Sequence, residues 1–369
     1  MSLRREFLAL CEPPGANVSE LCRRFQISRK TGYKWLDRGP EALADQSRRP
    51  HSSPEHTPAK TEALILRVRD QYHDWGARKL KRYLENKGHT DLPSVSTITQ
   101  ILHRHGRITR HASQAAQPWQ RFEHAEPNHL WQMDYKGHVA MTHGRVHPLT
   151  VLDDHSRFNL VLEACARESM DEVQAALIPC FRRYGLPQRI SCDNGSPWGN
   201  TRSKEGLTHL GVWMARLGIG LTHARPGHPQ TNGKDERFHR TLKSSVLQGQ
   251  IFTGLAHAQR AFDAFRDLYN HERPHQALQL EVPISRYRPS QRLYPEVLPE
   301  PQYDSGSEVR KVSQNGLIHF KGHRYRVAKA LDGQQVAIVP DRDNDALYTV
   351  YFFQTIVRKF DLRLDEFID

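Results

Sequence analysis

Apolar residues recur every three to four positions over the first 110 residues, and a two-residue alternation returns after residue 304. The stretch between mixes both periods, so the chain predicts helices, then an α/β region, then strands. Within 18–38, Val18, Leu21, Cys22, Ile27, Trp35 and Leu36 form one apolar side. Ser19 is placed to cap a first helix and Ser28 a second, which gives a helix-turn-helix. Gly32 inside the second helix lowers its intrinsic propensity. Residues 45–59 are rich in turn formers and read as a linker, and 60–110 predict three further short helices. Residues 111–127 form a polar connector.

From residue 128 the order of elements changes. Strands are predicted at 131–141, 149–153 and 158–164, and a helix at 169–184 buries Val173, Leu177 and Phe181. A fourth strand at 188–192, a helix at 207–217 and a fifth strand at 218–223 follow. Pro226, Gly227, Pro229 and Gly233 interrupt the chain before a helix that begins near Glu236. A long helix at 255–269 repeats Phe262, Phe265 and Leu268 on one side. Residues 281–304 are extended and proline-bearing, and 305–369 carry strand patterns separated by Gly and Asp turns.

Composition narrows the function classes. The 369 residues carry a formal charge of +12, which suits a polyanionic partner. No run approaches the length of a membrane span, and the first residues, Met1-Ser2-Leu3-Arg4-Arg5-Glu6, lack an apolar secretion signal. The five cysteines show no paired short spacing, so a disulfide framework is not expected and a cytoplasmic setting is. The 22 histidines make no Cys/His finger pattern.

Three acidic residues have settings suited to catalysis. Asp134 lies in an aromatic-apolar strand, Asp193 where a short strand enters an Asn-Gly turn, and Glu236 in the first turn of a helix. Oxygen donors of this kind suit hard divalent cations. Chance would supply many such triples among 41 acidic residues. The wording around them is more specific: Trp131-Gln132-Met133-Asp134, Leu152-Asp153-Asp154-His155-Ser156-Arg157, Cys192-Asp193-Asn194-Gly195-Ser196-Pro197, Pro229 to Arg237 and Tyr269 to Leu278 occur in that order. With these pieces the chain resembles bacterial insertion-sequence transposases whose catalytic core is like that of retroviral integrases.

The resemblance implies a multidomain chain. Helix-turn-helix DNA-binding domains would occupy 1–44 and 60–110, an α/β ribonuclease-H-like core 128–280, and a small β-barrel 305–369. It implies that Asp134, Asp193 and Glu236 hold two Mg²⁺ ions, for which Mn²⁺ can substitute. Asp153 and Asp154 match a non-ligand element of the family. Asp235 stands where the family has an apolar residue, about 100° round the helix from Glu236, and is expected to face solvent or a subunit. The interval from Asp193 to Glu236, 42 residues, is longer than is usual, with the surplus assigned to 198–205.

DNA contacts are expected from Arg29, Lys30, Thr31 and Lys34 on the second helix of 18–38, from Arg48 and Arg49 in the linker, and from His239, Arg240 and Lys243 beside Glu236. Each has a plainer alternative: a wet basic helix face, solvated linker charges, or a His239–Glu236 ion pair. The implied partners are double-stranded DNA, as terminal inverted repeats and as target, and further copies of the chain in a dimer or tetramer, with no membrane. The implied reaction exposes 3′ hydroxyls at the element ends and joins them to target DNA. A noncatalytic regulator and a nuclease without strand transfer are the competing readings.

Overall fold

The computed structural model describes residues 2–42, 44–45, 56–108, 123–193, 195, 197–198, 207–223, 233–363 and 366–368. They form two compact units, 1–58 and 59–369. The first holds α1 (Ser2–Cys11), α2 (Val18–Arg24) and α3 (Arg29–Arg38). α1 was not anticipated, yet its Phe7 anchors the small core, lying edge-on to Phe25 and Trp35 at 5.4 and 5.6 Å. Ser28 caps α3 as expected, accepting the Thr31 amide at 3.1 Å. α2 is capped by Asn17 and not Ser19, because Asn17 Oδ1 reaches the Glu20 amide at 3.1 Å. Gly32 is buried where α3 crosses α2; a Cβ there would lie 2.4 Å from Cys22 Sγ and 3.0 Å from the Phe7 ring. The propensity lost at Gly32 is offset by this close approach.

The second unit begins with α4 (Ala59–Gln71), α5 (Ala77–Asn86) and α6 (Val95–Arg104), packed around Ile65, Trp75, Leu80, Ile98 and Leu102. These helices dock on the α/β region through Asp74–Arg273 at 2.9 Å, Arg82–Glu281 at 2.5 Å and Lys87–Glu272 at 3.2 Å. The central sheet contains β1 (Leu130–Tyr135), β2 (Val139–Ala140), β3 (Arg145–Asp153), β4 (Asn159–Cys165), β5 (Arg189–Cys192) and β6 (Gly220–His223). Its order is β2-β3-β1-β5-β6, with β4 also on β3. The strand expected at 131–141 is divided: Gly137, at φ +83°, turns the chain after Tyr135.

Strand alternation decides which side chains meet which helices. Leu149 and Val151 of β3 face α7 (Met170–Tyr184) and α8 (His209–Arg216), whereas Val146 and Leu152 face α9 (Gly233–Leu242) and α10 (Leu255–Asp267). Trp131, Met133 and Tyr135 of β1 belong to the first face. Gln132 and Asp134 therefore lie on the face that α9 covers. α9 and α10 each end in a π-turn, Lys243–Leu247 and Leu268–Glu272. In the second, buried Asn270 bonds both the amide and the carbonyl of Asn159 at 2.8 and 2.9 Å, fastening the segment to β4.

The C-terminal region comprises β7 (Glu308–Lys311), β8 (Leu317–Phe320), β9 (His323–Arg326), β10 (Gln335–Pro340), β11 (Leu347–Phe352), β12 (Thr355–Asp361) and β13 (Glu366–Ile368). The pairings give an antiparallel sheet, β13-β12-β11-β10-β7, and a β8–β9 hairpin. Phe320 and Tyr325 of the hairpin pack on Phe360 of the sheet. The small β domain is thus sheet and hairpin, and among the described residues no pairing closes it into a barrel.

Two outcomes follow from this packing. Gly32→Ala should destabilise the 1–58 unit by about 1–3 kcal/mol through overpacking, and adding Cys22→Ala should recover part of the loss; denaturation of the four proteins in that cycle checks it. The half-buried His275 ring, desolvated and set near Arg273 and Lys79, is held down to a pKa of about 3. The unfolded chain takes up that proton below about pH 6.5 and the folded chain does not. Its contribution to stability is therefore full above pH 6.5 and lost as pH falls toward 3. In His275→Gln, urea denaturation across that window should show a shallower acid loss than the native chain.

Candidate active site

β1 pairs in parallel with β5, Leu130 opposite Arg189, Trp131 opposite Ile190 and Gln132 opposite Ser191. Continuing this register by two residues sets Asp134 level with Asp193, at the same edge of adjacent strands. The Asp134 side chain is 26 % exposed. Its carboxyl is pushed up to a pKa of about 7, first by burial and then by the charge of Asp193, against the lowering effect of the Tyr135 amide. Asp193 Oδ1 accepts the Gly195 amide at 2.9 Å, so the turn after β5 fixes the second carboxylate.

His239 approaches from α9 with its Nδ1 3.9 Å from Asp134 Oδ2. Its Nε2 lies 2.8 Å from Thr150 Oγ1, and Thr150 donates its proton to the Asp134 carbonyl at 3.0 Å. The hydroxyl can then only accept from His239, which assigns the Nε2–H tautomer. Burial, with the Lys136 charge, depresses the imidazole to a pKa of about 3, so it is neutral. His239 is therefore a buried support behind Asp134. The expectations of a DNA contact and of a Glu236 ion pair are corrected: the 3.6-residue period turns it inward with Asp235, Phe238 and Leu242.

The same period settles Asp235. It is only 1 % exposed, and its Oδ1 is buried without a hydrogen-bond partner among the described residues. Burial and the nearby charges of Asp134 and Asp154 raise its pKa well above the usual carboxylate range. The expectation that it faces solvent is thus corrected. Glu236 is exposed, as are Arg240 and Lys243. The structure brings Asp134 and Asp193 together and leaves Glu236 outside. Among the described residues no three acidic, His or Cys side chains converge tightly enough to hold a metal. Asp134 and Asp193 nonetheless fit a divalent cation: two oxygen donors repel each other in a partly buried setting, and a cation would relieve that repulsion.

Asp153 and Asp154 are occupied elsewhere. Asp153 accepts the Asn128 amide at 2.7 Å and the Ser156 amide and hydroxyl at 2.8 and 2.6 Å. Asp154 accepts the His124 amide at 2.9 Å and Gln132 Nε2 at 3.0 Å, and it pairs with Lys234. Sequence reasoning missed Lys234, which ties the first turn of α9 to the end of β3 two residues before Glu236. A lysine beside an acidic pair was visible, but its partner 80 residues away was not. Of the expected DNA contacts in the first unit, Arg29, Lys30 and Lys34 are exposed on α3. Thr31 is half-buried and engaged with the Ser28 cap, Oγ to Oγ1 2.9 Å. Tyr33 on the same helix, 56 % exposed, was not singled out. Arg48 and Arg49 lie outside the described residues.

Comparison with known proteins matches the separate regions of the chain to known domains. Models described as integrase core domain match residues 124–229 and 217–283. A helix-turn-helix domain matches 4–51 and a homeodomain-like domain 29–102. The C-terminal domain of IS481 family transposases matches 307–366. The chain is 26 % identical over 240 residues to an insertion element IS407 protein of Burkholderia multivorans, across 63 % of this chain and 82 % of that one. It is 22 % identical over 253 residues to the transposase for insertion sequence element IS904 of Lactococcus lactis, across 63 % and 96 %. The HTLV-2 integrase catalytic core domain solved with magnesium aligns at 17 % identity and a TM-score of 0.33, over 44 % of this chain and 97 % of that one. The class is that of integrase-core proteins with N-terminal helix-turn-helix domains. The particular domain set ends in a region that matches the C-terminal domain of IS481 family transposases, and the relatives named above are insertion-element proteins.

The Asp154–Lys234 pair gives a test of how α9 is held. Lys234→Met strands a buried carboxylate and should cost about 3–5 kcal/mol, whereas Asp154→Asn with Lys234→Met should recover much of that. Chemical denaturation of the single and double variants reads the difference.

Proposed function

We propose that this chain is a transposase that binds the ends of its element, cleaves to expose 3′ hydroxyls and joins them to target DNA. The supporting observation is the Asp134–Asp193 pair, level on adjacent parallel strands in an integrase core. In this reading Asp134, Asp193 and Glu236 are the catalytic carboxylates and would hold Mg²⁺, with Mn²⁺ able to replace it. Two such ions supply activation of the attacking oxygen and stabilisation of the leaving 3′ oxygen.

The chain's own residues do the positioning. The β1–β5 register and the Asp193 turn fix two carboxylates, and neutral His239 with Thr150 holds the backbone at Asp134. Glu236 stands on the exposed side of α9 with Arg240 and Lys243. A shift of the first turn of α9 would bring it to the pair, while Arg240 and Lys243 remain open to phosphates of the end being cut. Two ends must be joined together, which implies a dimer or tetramer of this chain. Exposed Arg29, Lys30 and Lys34 supply end binding by the first unit.

Asp134→Asn, Asp193→Asn and Glu236→Gln should each abolish cleavage and joining of labelled duplex ends in Mg²⁺ and leave end binding intact. Asp235→Asn should be much milder. An inactive Asp235→Asn beside a fully active Glu236→Gln would reject this assignment. Binding without cleavage by the native chain in Mg²⁺ or Mn²⁺ would favour a noncatalytic regulator, and cleavage without joined product a nuclease.

A further inference from the structure

Arg273, Lys79 and Arg237 meet where the helices of 59–104 approach α9. Arg273 is only 5 % exposed, and its guanidinium lies 5.7 Å from the centre of the Trp75 ring, at the start of α5. Nη2 donates to Asp74 at 2.9 Å, while Nη1 is buried with no hydrogen-bond partner among the described residues. α5 is capped by Gly76, which offers no side chain to the first-turn amides. Lys79, in that first turn, is half-buried, and the charges of Arg273 and Arg237 both act on its ammonium. Burial first, and those charges next, lower it to a pKa of about 8. Arg237, exposed on α9, directly follows Glu236.

Arg273 is paired with Asp74 at the positive end of a helix dipole, and the charges of Arg273 and Arg237 both act on Lys79 in the first turn of that helix. Like charges that share a partly desolvated site raise the free energy of the chain unless an anion joins them. Neither Lys79 Nζ nor the Arg237 guanidinium has a hydrogen-bond or ion-pair partner among the described residues. Arg237 is exposed and Lys79 half-buried, whereas Arg273 is buried and fixed by Asp74 and Trp75.

We propose that Lys79 and Arg237 form a binding site for one backbone phosphate of duplex DNA, with Arg273 and the first turn of α5 as the supporting positive charge. This rests on the DNA-binding reading given above and deepens it. It makes the helices of 59–104 part of the surface that holds DNA beside the catalytic helix, through a contact that carries no base sequence. Asp74 takes one Arg273 amino group and so tempers the site, leaving it a net positive charge.

The test is fluorescence anisotropy across a salt series. It uses a duplex cut from the DNA flanking the coding sequence and a random duplex of equal length. Lys79→Met keeps the aliphatic stem and Arg237→Gln the reach of the side chain. The double variant should lower the slope of log K against log salt by about one on both duplexes, and weaken binding about three- to tenfold at physiological salt. Each single variant should account for part of that loss, and the two losses should not add fully because one phosphate is shared. Lys79→Met should melt at or above the native temperature, since it removes a half-buried charge that Arg273 and Arg237 repel. Unchanged slopes and affinities in both single variants, with the native chain binding normally, would overturn the site. So would a Lys79→Met loss that comes with a lower melting temperature while exposed Arg237→Gln binds like the native chain. A native chain that binds neither duplex would instead remove the DNA reading itself, and this site with it.

Discussion

The parallel pairing of β1 with β5 constrains everything that the candidate site can do. A parallel pair has a single register in which buried faces match, and here Trp131 and Ile190 fix it from inside the core. A slip by one residue would turn Asp134 from the α9 face to the α7 face and exchange it with Met133 or Tyr135. The carboxylates thus depend on packing several residues away. Burial first, and the charge of Asp193 second, lift Asp134 to a pKa of about 7, a cost that the hydrophobic strands bear. The same face of β1 places Gln132 against Asp154, and Asp154 holds Lys234. One strand therefore positions Asp134 and, through a buried ion pair, the first turn of the helix that carries Glu236.

That helix is also where local wording and three-dimensional packing diverge. Asp235 and Glu236 are adjacent, so helical geometry gives each a separate environment, one inside and one outside. The inward place beside Asp134 is taken by Asp235, whose Oδ1 has no hydrogen-bond partner among the described residues. A buried unpaired carboxylate costs free energy, and burial with the charges of Asp134 and Asp154 raises its pKa well above the usual carboxylate range. Glu236 is exposed, as are Arg240 and Lys243. Under the proposed function, Glu236 would join Asp134 and Asp193 through movement in the first turn of α9, which the Lys234–Asp154 pair restrains.

Much of the architecture was legible because it follows from period and capping. Ser28 capped α3 as its position predicted, and the alternation of β1, β3 and β4 separated two packed faces. The places of Asp134 in a strand and Asp193 at the turn after one were legible from strand and turn chemistry. What escaped depended on partners far apart in sequence. α1 offered little periodic signal alone, and its role comes from Phe7 meeting Trp35. Gly32 read as a weak helix former because the Cys22 contact is invisible along the chain. His239 read as a surface residue, since the direction of its face depends on where α9 meets the sheet. Lys234 and Arg273 gained their meaning only from Asp154 and Asp74.

The central claim is that Asp134 and Asp193 form one electrostatically coupled pair that accepts a divalent cation. Carbon-13 NMR of the Asp carboxyl groups, assigned with Asp134→Asn, measures this directly. Without metal, Asp134 should titrate near pH 7; in Mg²⁺ its titration should move down by more than one unit, and Asp193→Asn should lower it even without metal. A titration near the ordinary aspartate value of about 4, unmoved by Mg²⁺ or by Asp193→Asn, would contradict the account.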